Sequence, residues 1–95
     1  MVQKIQLKHP AGKPAVSIDK SKYDTIKESI LNSLKKRELT HTEIVEAVTE
    51  DFRKNKIKFE GSVGWYFEWV KLDLEAGKII ERIFDQSPQK FRLSK

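Results

Sequence analysis

His9 and His41 are the only imidazoles in the chain. Neither has a partner at the H-x-x-x-H spacing that would put two ring nitrogens on one helix face for a metal. His9 lies in a proline-rich turn and His41 at the start of a helical run, so both read as surface residues. Ser62 follows Gly61 and precedes Gly64, but no G-x-S-x-G elbow surrounds it to hold a nucleophilic serine in a strained turn. It reads as a helix cap. Neither G-x-x-x-x-G-K-[ST] nor G-x-G-x-x-G occurs, so there is no glycine-rich cradle for nucleotide phosphates. Cysteine is absent, which excludes a disulfide framework, a thiolate zinc site and a cysteine nucleophile together. The expectation is a protein that is not an enzyme and holds no cofactor or metal.

What remains is binding chemistry, of two kinds. Lys54, Lys56 and Lys58 lie just ahead of Ser62 and Gly64, at the start of the third helical run, and Lys90 and Arg92 lie near the C-terminus. Ammonium and guanidinium groups beside accessible backbone N–H groups suit a phosphate backbone. With Lys71, these are the candidate contacts to double-stranded DNA; the plainer reading of loop lysines is simple solvation. Glu68 and Glu75 flank Lys71, and no Arg, Asn or Gln lies between Ser62 and Gly77 to read base edges bidentately. Backbone contacts should therefore dominate over base readout. The alternative chemistry is apolar. Trp65, Trp69 and Leu72 form an arc suited to a protein partner or a second copy of the chain. The more ordinary explanation is that the N-terminal residues fold over this arc and bury it.

Composition is compatible with both kinds. The 95 residues are 38% apolar and 35% charged, with 19 basic against 14 acidic side chains for a net charge of +5. One small domain with a modest core is expected, and an anionic partner is permitted. No apolar run approaches the length of a membrane span, and the first residues lack a continuous apolar stretch, so cytoplasmic residence is the expectation.

The elements that must position these side chains can be read from periodicity. Residues 1–18 form an extended arm, with Ile5 and Leu7 on one face, Val16 and Ile18 on another, and a Pro/Gly cluster between them. Residues 19–95 form the domain proper. Ser21 with Asp24 resembles a capping box, Asp19 is a second candidate cap, and Tyr23, Ile26, Ile30, Leu31 and Leu34 recur at helical spacing, giving a helix over 21–36. Thr40 with Glu43 is a further capping box opening a helix over 41–53, striped by Ile44, Val45, Ala47, Val48 and Phe52. The basic stretch from Arg53 to Gly61 is a loop with Ile57 and Phe59 tucked inward. A third helix spans 62–76 and is expected to end at Gly77 in left-handed geometry.

At 100° steps the third helix separates into arcs. Val63, Phe67, Val70 and Leu74 should meet Ile26, Ile30, Leu34, Ile44 and Val48 in one core. Gly64, Glu68, Lys71 and Glu75 form its polar, solvent-exposed stripe, and Asp73 should bond to a basic side chain such as Arg82, or to a cap. Alternation over residues 79–94, with a turn at 85–88, predicts a two-stranded hairpin, and Leu39 supplies a minimal third strand. Three helices followed by a hairpin is the chain order of a winged helix-turn-helix, an α+β fold.

The residues also carry a resemblance. Lys8-His9-Pro10 with Gly12, Lys22-Tyr23, Leu39-Thr40 with Glu43, then Gly64-Trp65-Tyr66, the run from Val70 to Ala76 and Ile80-Glu81-Arg82 resemble a family of short bacterial proteins without assigned function. The Gly-Trp, Gly-x-Ile and Phe-Arg-Leu-Ser spacing is also similar to the winged-helix domain at the front of some restriction endonucleases, although the 95 residues hold no nuclease domain. The resemblance implies a winged helix and carries no catalytic residue across.

Overall fold

The computed structural model describes residues 3–84 and 87–94. Its elements are β1 (Lys4–Gln6), β2 (Ser17–Asp19), α1 (Lys20–Leu34), β3 (Leu39–Thr40), α2 (His41–Lys54), α3 (Val63–Ala76), β4 (Ile80–Ile83) and β5 (Lys90–Leu93). This is a mixed α+β arrangement of three helices and two small antiparallel sheets. One sheet is the N-terminal hairpin, with Ile5 opposite Ile18. The other has strand order β3-β5-β4, with Phe91 at its centre between Leu39 and Arg82. Of the expected turn at 85–88, Asp85 and Gln86 lie outside the described residues.

Helix starts follow local chemistry. At α2 the Thr40 hydroxyl accepts the Glu43 N–H (3.2 Å), and the Glu43 carboxylate accepts the Thr40 N–H (2.9 Å), so the capping box is complete. That backbone hydrogen bond is the main reason the Glu43 carboxyl is held below its ordinary value. At α3 the Ser62 hydroxyl accepts the Trp65 N–H. The expected box at α1 does not form. Asp19 is the N-cap without a side-chain bond, and Asp24 accepts from Lys20 Nζ at 2.8 Å instead.

Helix ends depart from expectation in an informative way. Gly77 is an ordinary cap at φ −81°, and the left-handed residue is Lys78 at φ 59°. Lys78 N–H donates to the Glu75 carbonyl and Ile79 N–H to the Leu74 carbonyl, the paired bonds of a Schellman motif. The same motif closes α2, with Lys56 left-handed at φ 54° and Ile57 N–H donating to the Phe52 carbonyl. Lysine thus stands twice where glycine would avoid a Cβ penalty. At Gly61 (φ 102°) glycine is required for space as well, because a Cβ would lie 2.9 Å from the Tyr66 ring.

The core forms where the sequence pattern put it. Phe67, Val70 and Leu74 of α3 meet Ile26, Ile30 and Leu34 of α1 and Ile44, Val48 and Phe52 of α2, with Val63 half-buried at the margin. Leu39, Ile80 and Phe91 attach the three-stranded sheet, and Leu7 and Ile18 attach the N-terminal hairpin. Full burial of one such side chain stabilises by roughly 1.5–3 kcal/mol. Ile57 departs from its expected inward position and is exposed, because the α2 cap turns it outward, while Phe59 stacks on Phe52 at 5.6 Å.

Candidate functional site

With its Phe67–Val70–Leu74 side on the core, α3 is held at both flanks and open on its outer face. On one flank Asp73 receives two hydrogen bonds: its Oδ1 accepts the Lys8 backbone N–H (2.8 Å) and its Oδ2 accepts the Tyr23 hydroxyl (2.7 Å). Burial, and then the bond to Asp73, push the Tyr23 phenol up. The expected pairing of Asp73 with Arg82 is corrected: Asp73 faces α1 and the arm, while Arg82 lies across the helix. Tyr66 shares the Asp73 flank, with Lys22 Nζ 4.8 Å from its ring centre.

The other flank faces the β4–β5 hairpin. Arg82 donates to Glu75 at 2.9 and 3.2 Å. Lys71 is only 4% exposed, with its Nζ 4.8 Å over the Phe91 ring and 3.4 Å from Glu68 Oε1. The Arg82 guanidinium sits over the same ring at 5.0 Å. The expectation of a solvated stripe through Gly64, Glu68, Lys71 and Glu75 is therefore corrected. The hairpin covers Lys71 and Glu75 and leaves Gly64 exposed and Glu68 partly so. His41 completes this cluster, 3.8 Å from Glu68 Oε2 and edge-on to Phe67. Its imidazole is held below the ordinary value by burial first and by Lys71 and Arg82 next, against an opposing pull from Glu68.

The outer face carries Trp65, Trp69 and Leu72. Trp65 is 46% exposed, its ring 6.3 Å from that of the half-buried Trp69. The arm does not cover Trp65, contrary to the more ordinary expectation. Asp73 ties the chain at Lys8 to the flank of α3, and Leu7 and Ile18 enter the core from there. Beyond Leu72 an open groove of about 980 Å³ runs between the His9–Ala11 turn, Glu75 and the strand residues Ile80, Glu81 and Arg82, with Phe84 at its rim, 76% exposed. Sequence reasoning missed this groove because it depends on where the arm crosses α3; the alternation from Ile79 to Phe84 was its only local signal.

The basic candidates are scattered over different environments. Lys54, Lys56 and Lys58 are exposed, as are Ser62 and Gly64 further along the chain, and the three lysines make no salt bridge among the described residues. Lys90 is half-buried in β5. Arg92 is paired with Glu81 and lies 3.8 Å from Glu38. Lys71 lies under the hairpin, with its Nζ over the Phe91 ring. Among the described residues no cluster of three or more His, Asp or Glu is placed to hold a metal, and no helix is long and apolar enough to cross a membrane.

No curated protein and no solved structure matches the chain. A family model does match, over residues 4–91, and so spans both flanks of α3, its outer face and most of the hairpin. The chain therefore belongs to DUF6958, a family of unknown function.

Proposed function

We propose that the chain is a non-catalytic, cytoplasmic binding protein of bacterial origin and winged-helix design that takes a polypeptide partner on the outer face of α3. The winged-helix reading is supported by the helix order and by the β3-β5-β4 sheet, in which a short strand before α2 pairs with the hairpin. In winged-helix DNA binders the third helix turns its outer face to the major groove. Here that face presents Trp65, Trp69 and Leu72, while the helix's single lysine is buried against Phe91. An exposed tryptophan among half-buried apolar neighbours is the composition of an interface core, where aromatic residues are enriched and charge is depleted. The exposure of Trp65 is the observation that carries the proposal. Fold alone would not choose between the two uses.

The test is a panning of phage-displayed random dodecapeptides on the full chain. Selected peptides should lose about tenfold in affinity on Trp65→Ser, equal to 1.4 kcal/mol. That substitution lies on the surface and leaves the core intact. Peptides indifferent to Trp65→Ser would overturn the reading.

A second reading, contact with the DNA backbone, is favoured by one observation. Lys54, Lys56 and Lys58 are exposed in the segment that leads into α3. Three phosphate contacts would give a log–log salt slope of about −2.7. An anisotropy titration with a mixed-sequence duplex at low and moderate salt tests it.

A further inference from the structure

The β3-β5-β4 sheet ends at β4, and the pattern of its ladder shows what that edge offers. Ser94 N–H donates to the Ile79 carbonyl at 3.0 Å, so Ile79 and Ser94 form a hydrogen-bonded pair. In an antiparallel ladder bonded and non-bonded pairs alternate. Given the register, Glu81–Arg92 and Ile83–Lys90 are the bonded pairs, and Ile80–Leu93 and Arg82–Phe91 the non-bonded ones. Ile80 and Arg82 therefore turn their N–H and C=O groups away from β5, to a side where no strand pairs among the described residues. That side is the groove. Successive side chains of a strand point to opposite faces, so a cavity lined by Ile80, Glu81 and Arg82 together runs along the strand's edge. β3, at the opposite edge of this sheet, is only two residues long.

We propose that the β4 edge and its groove bind an extended segment of a partner protein as an added strand, with an acidic residue of that segment meeting Lys78. The inference rests on the reading that the partner is a polypeptide, and names its conformation and charge. Main-chain donors and acceptors spaced along an edge are complementary to an extended backbone and to little else. Leu72 and Phe84 supply apolar contacts for alternate side chains of that segment. The charges around the groove fix the sign of the partner. Glu75 is engaged by Arg82 and Glu81 by Arg92, while Lys78 has no salt bridge among the described residues.

The same charges disfavour a second copy of this chain. In a two-fold β4–β4 pairing centred on Arg82, arginine faces arginine. Centred on Glu81, glutamate faces glutamate. Centred on Ile80, Arg82 faces Lys78. Like charges directly opposite on adjoining strands destabilise the pairing, so in these three registers a foreign strand is favoured over a second copy.

Hydrogen exchange on the full chain, alone and with peptides from the dodecapeptide panning, tests this directly. In the free chain the Ile80 and Arg82 amides should exchange faster than those of Glu81 and Ile83, at every protein concentration. A bound peptide should slow Ile80 and Arg82, carry alternating apolar residues with an Asp or Glu, and weaken about tenfold when alternate backbone nitrogens are methylated. On the protein, Arg82→Pro loses the guanidinium bound to Glu75, as Arg82→Ala does, and in addition an outward N–H, a loss that edge strands tolerate. It should weaken binding well beyond Arg82→Ala, and the methylated peptides read the same bond if the proline variant fails to fold. Lys78→Glu should weaken acidic peptides. Protection of Ile80 and Arg82 that appears only at high protein concentration would give the edge to a second copy and overturn the proposal. So would peptides that bind without slowing those amides, or no selected peptide at all. Peptides that need Trp65 yet leave the two amides unchanged would sink this inference and spare the reading of the α3 face. Peptides that slow them but ignore Trp65 would do the reverse.

Discussion

The two flanks of α3 are both tied through carboxylates, but to donors of different kinds. Asp73 accepts from two neutral groups, a main-chain N–H and a phenol, contributed by the arm and by α1. Glu75 and Glu68 face the cations Arg82 and Lys71, which also lie over one phenylalanine ring. A carboxylate bonded to neutral donors fixes position and depends little on ionic strength, whereas an ion pair partly open to water is screened by salt. The Asp73 flank sets where the arm crosses, and so leaves Trp65 uncovered. The opposite flank binds the hairpin to the helix and removes Lys71 from the surface.

Removing the Asp73 carboxylate should have the largest effect. Asp73→Ala leaves the Tyr23 hydroxyl without its acceptor and unties the arm, at a cost of roughly 2–4 kcal/mol in urea unfolding, with faster exchange at the Lys8 amide. Tyr23→Phe, which loses one bond, should cost less than half as much. If Arg82→Ala cost more than Asp73→Ala, the ranking of the flanks would be reversed. High salt should narrow the gap between wild type and Arg82→Ala and leave that for Tyr23→Phe unchanged.

Backbone positions come next. Gly61→Ala should destabilise by about 1–3 kcal/mol, because it puts a Cβ at positive φ against the Tyr66 ring. Lys56→Gly should raise stability by about 1 kcal/mol in the same assay, since a left-handed lysine carries a Cβ penalty that glycine lacks.

The smallest effect is on pH dependence. His41 titrates lower in the folded chain than in the unfolded one, from burial and from Lys71 and Arg82, so the unfolded state takes up its proton first. Stability should therefore be full above the unfolded value near 6.5 and decline as pH falls through it toward the lower folded value. His41→Gln should flatten that decline in thermal melts recorded on either side of it.

Much of this scaffold was legible in the residues. Period-3.6 stripes in α1, α2 and α3 located the core, and Thr40 with Glu43 marked the start of α2 because a capping box is entirely local chemistry. The short Leu39 strand and the hairpin were visible as well. What was hidden depends on long-range geometry. The polar stripe of α3 looked solvated because a lysine ordinarily is. Nothing within the helix shows that Phe91 offers its ring to Lys71 from a strand far along the chain. The exposure of Trp65 was masked in the same way, since it follows from Lys8 reaching Asp73. Left-handed Lys56 and Lys78 carry no residue-type signal, and the αL position was assigned to the adjacent glycine at Gly77.

The exposure of the α3 outer face and its use by a polypeptide can be read from a single indole. In a Trp69→Phe variant Trp65 is the only tryptophan left. Its fluorescence should be quenched readily by acrylamide in the free chain, become shielded on addition of a selected peptide, and stay unshielded on addition of a mixed-sequence duplex. A Trp65 already shielded in the free chain, or shielded by the duplex and not by the peptide, would contradict the account.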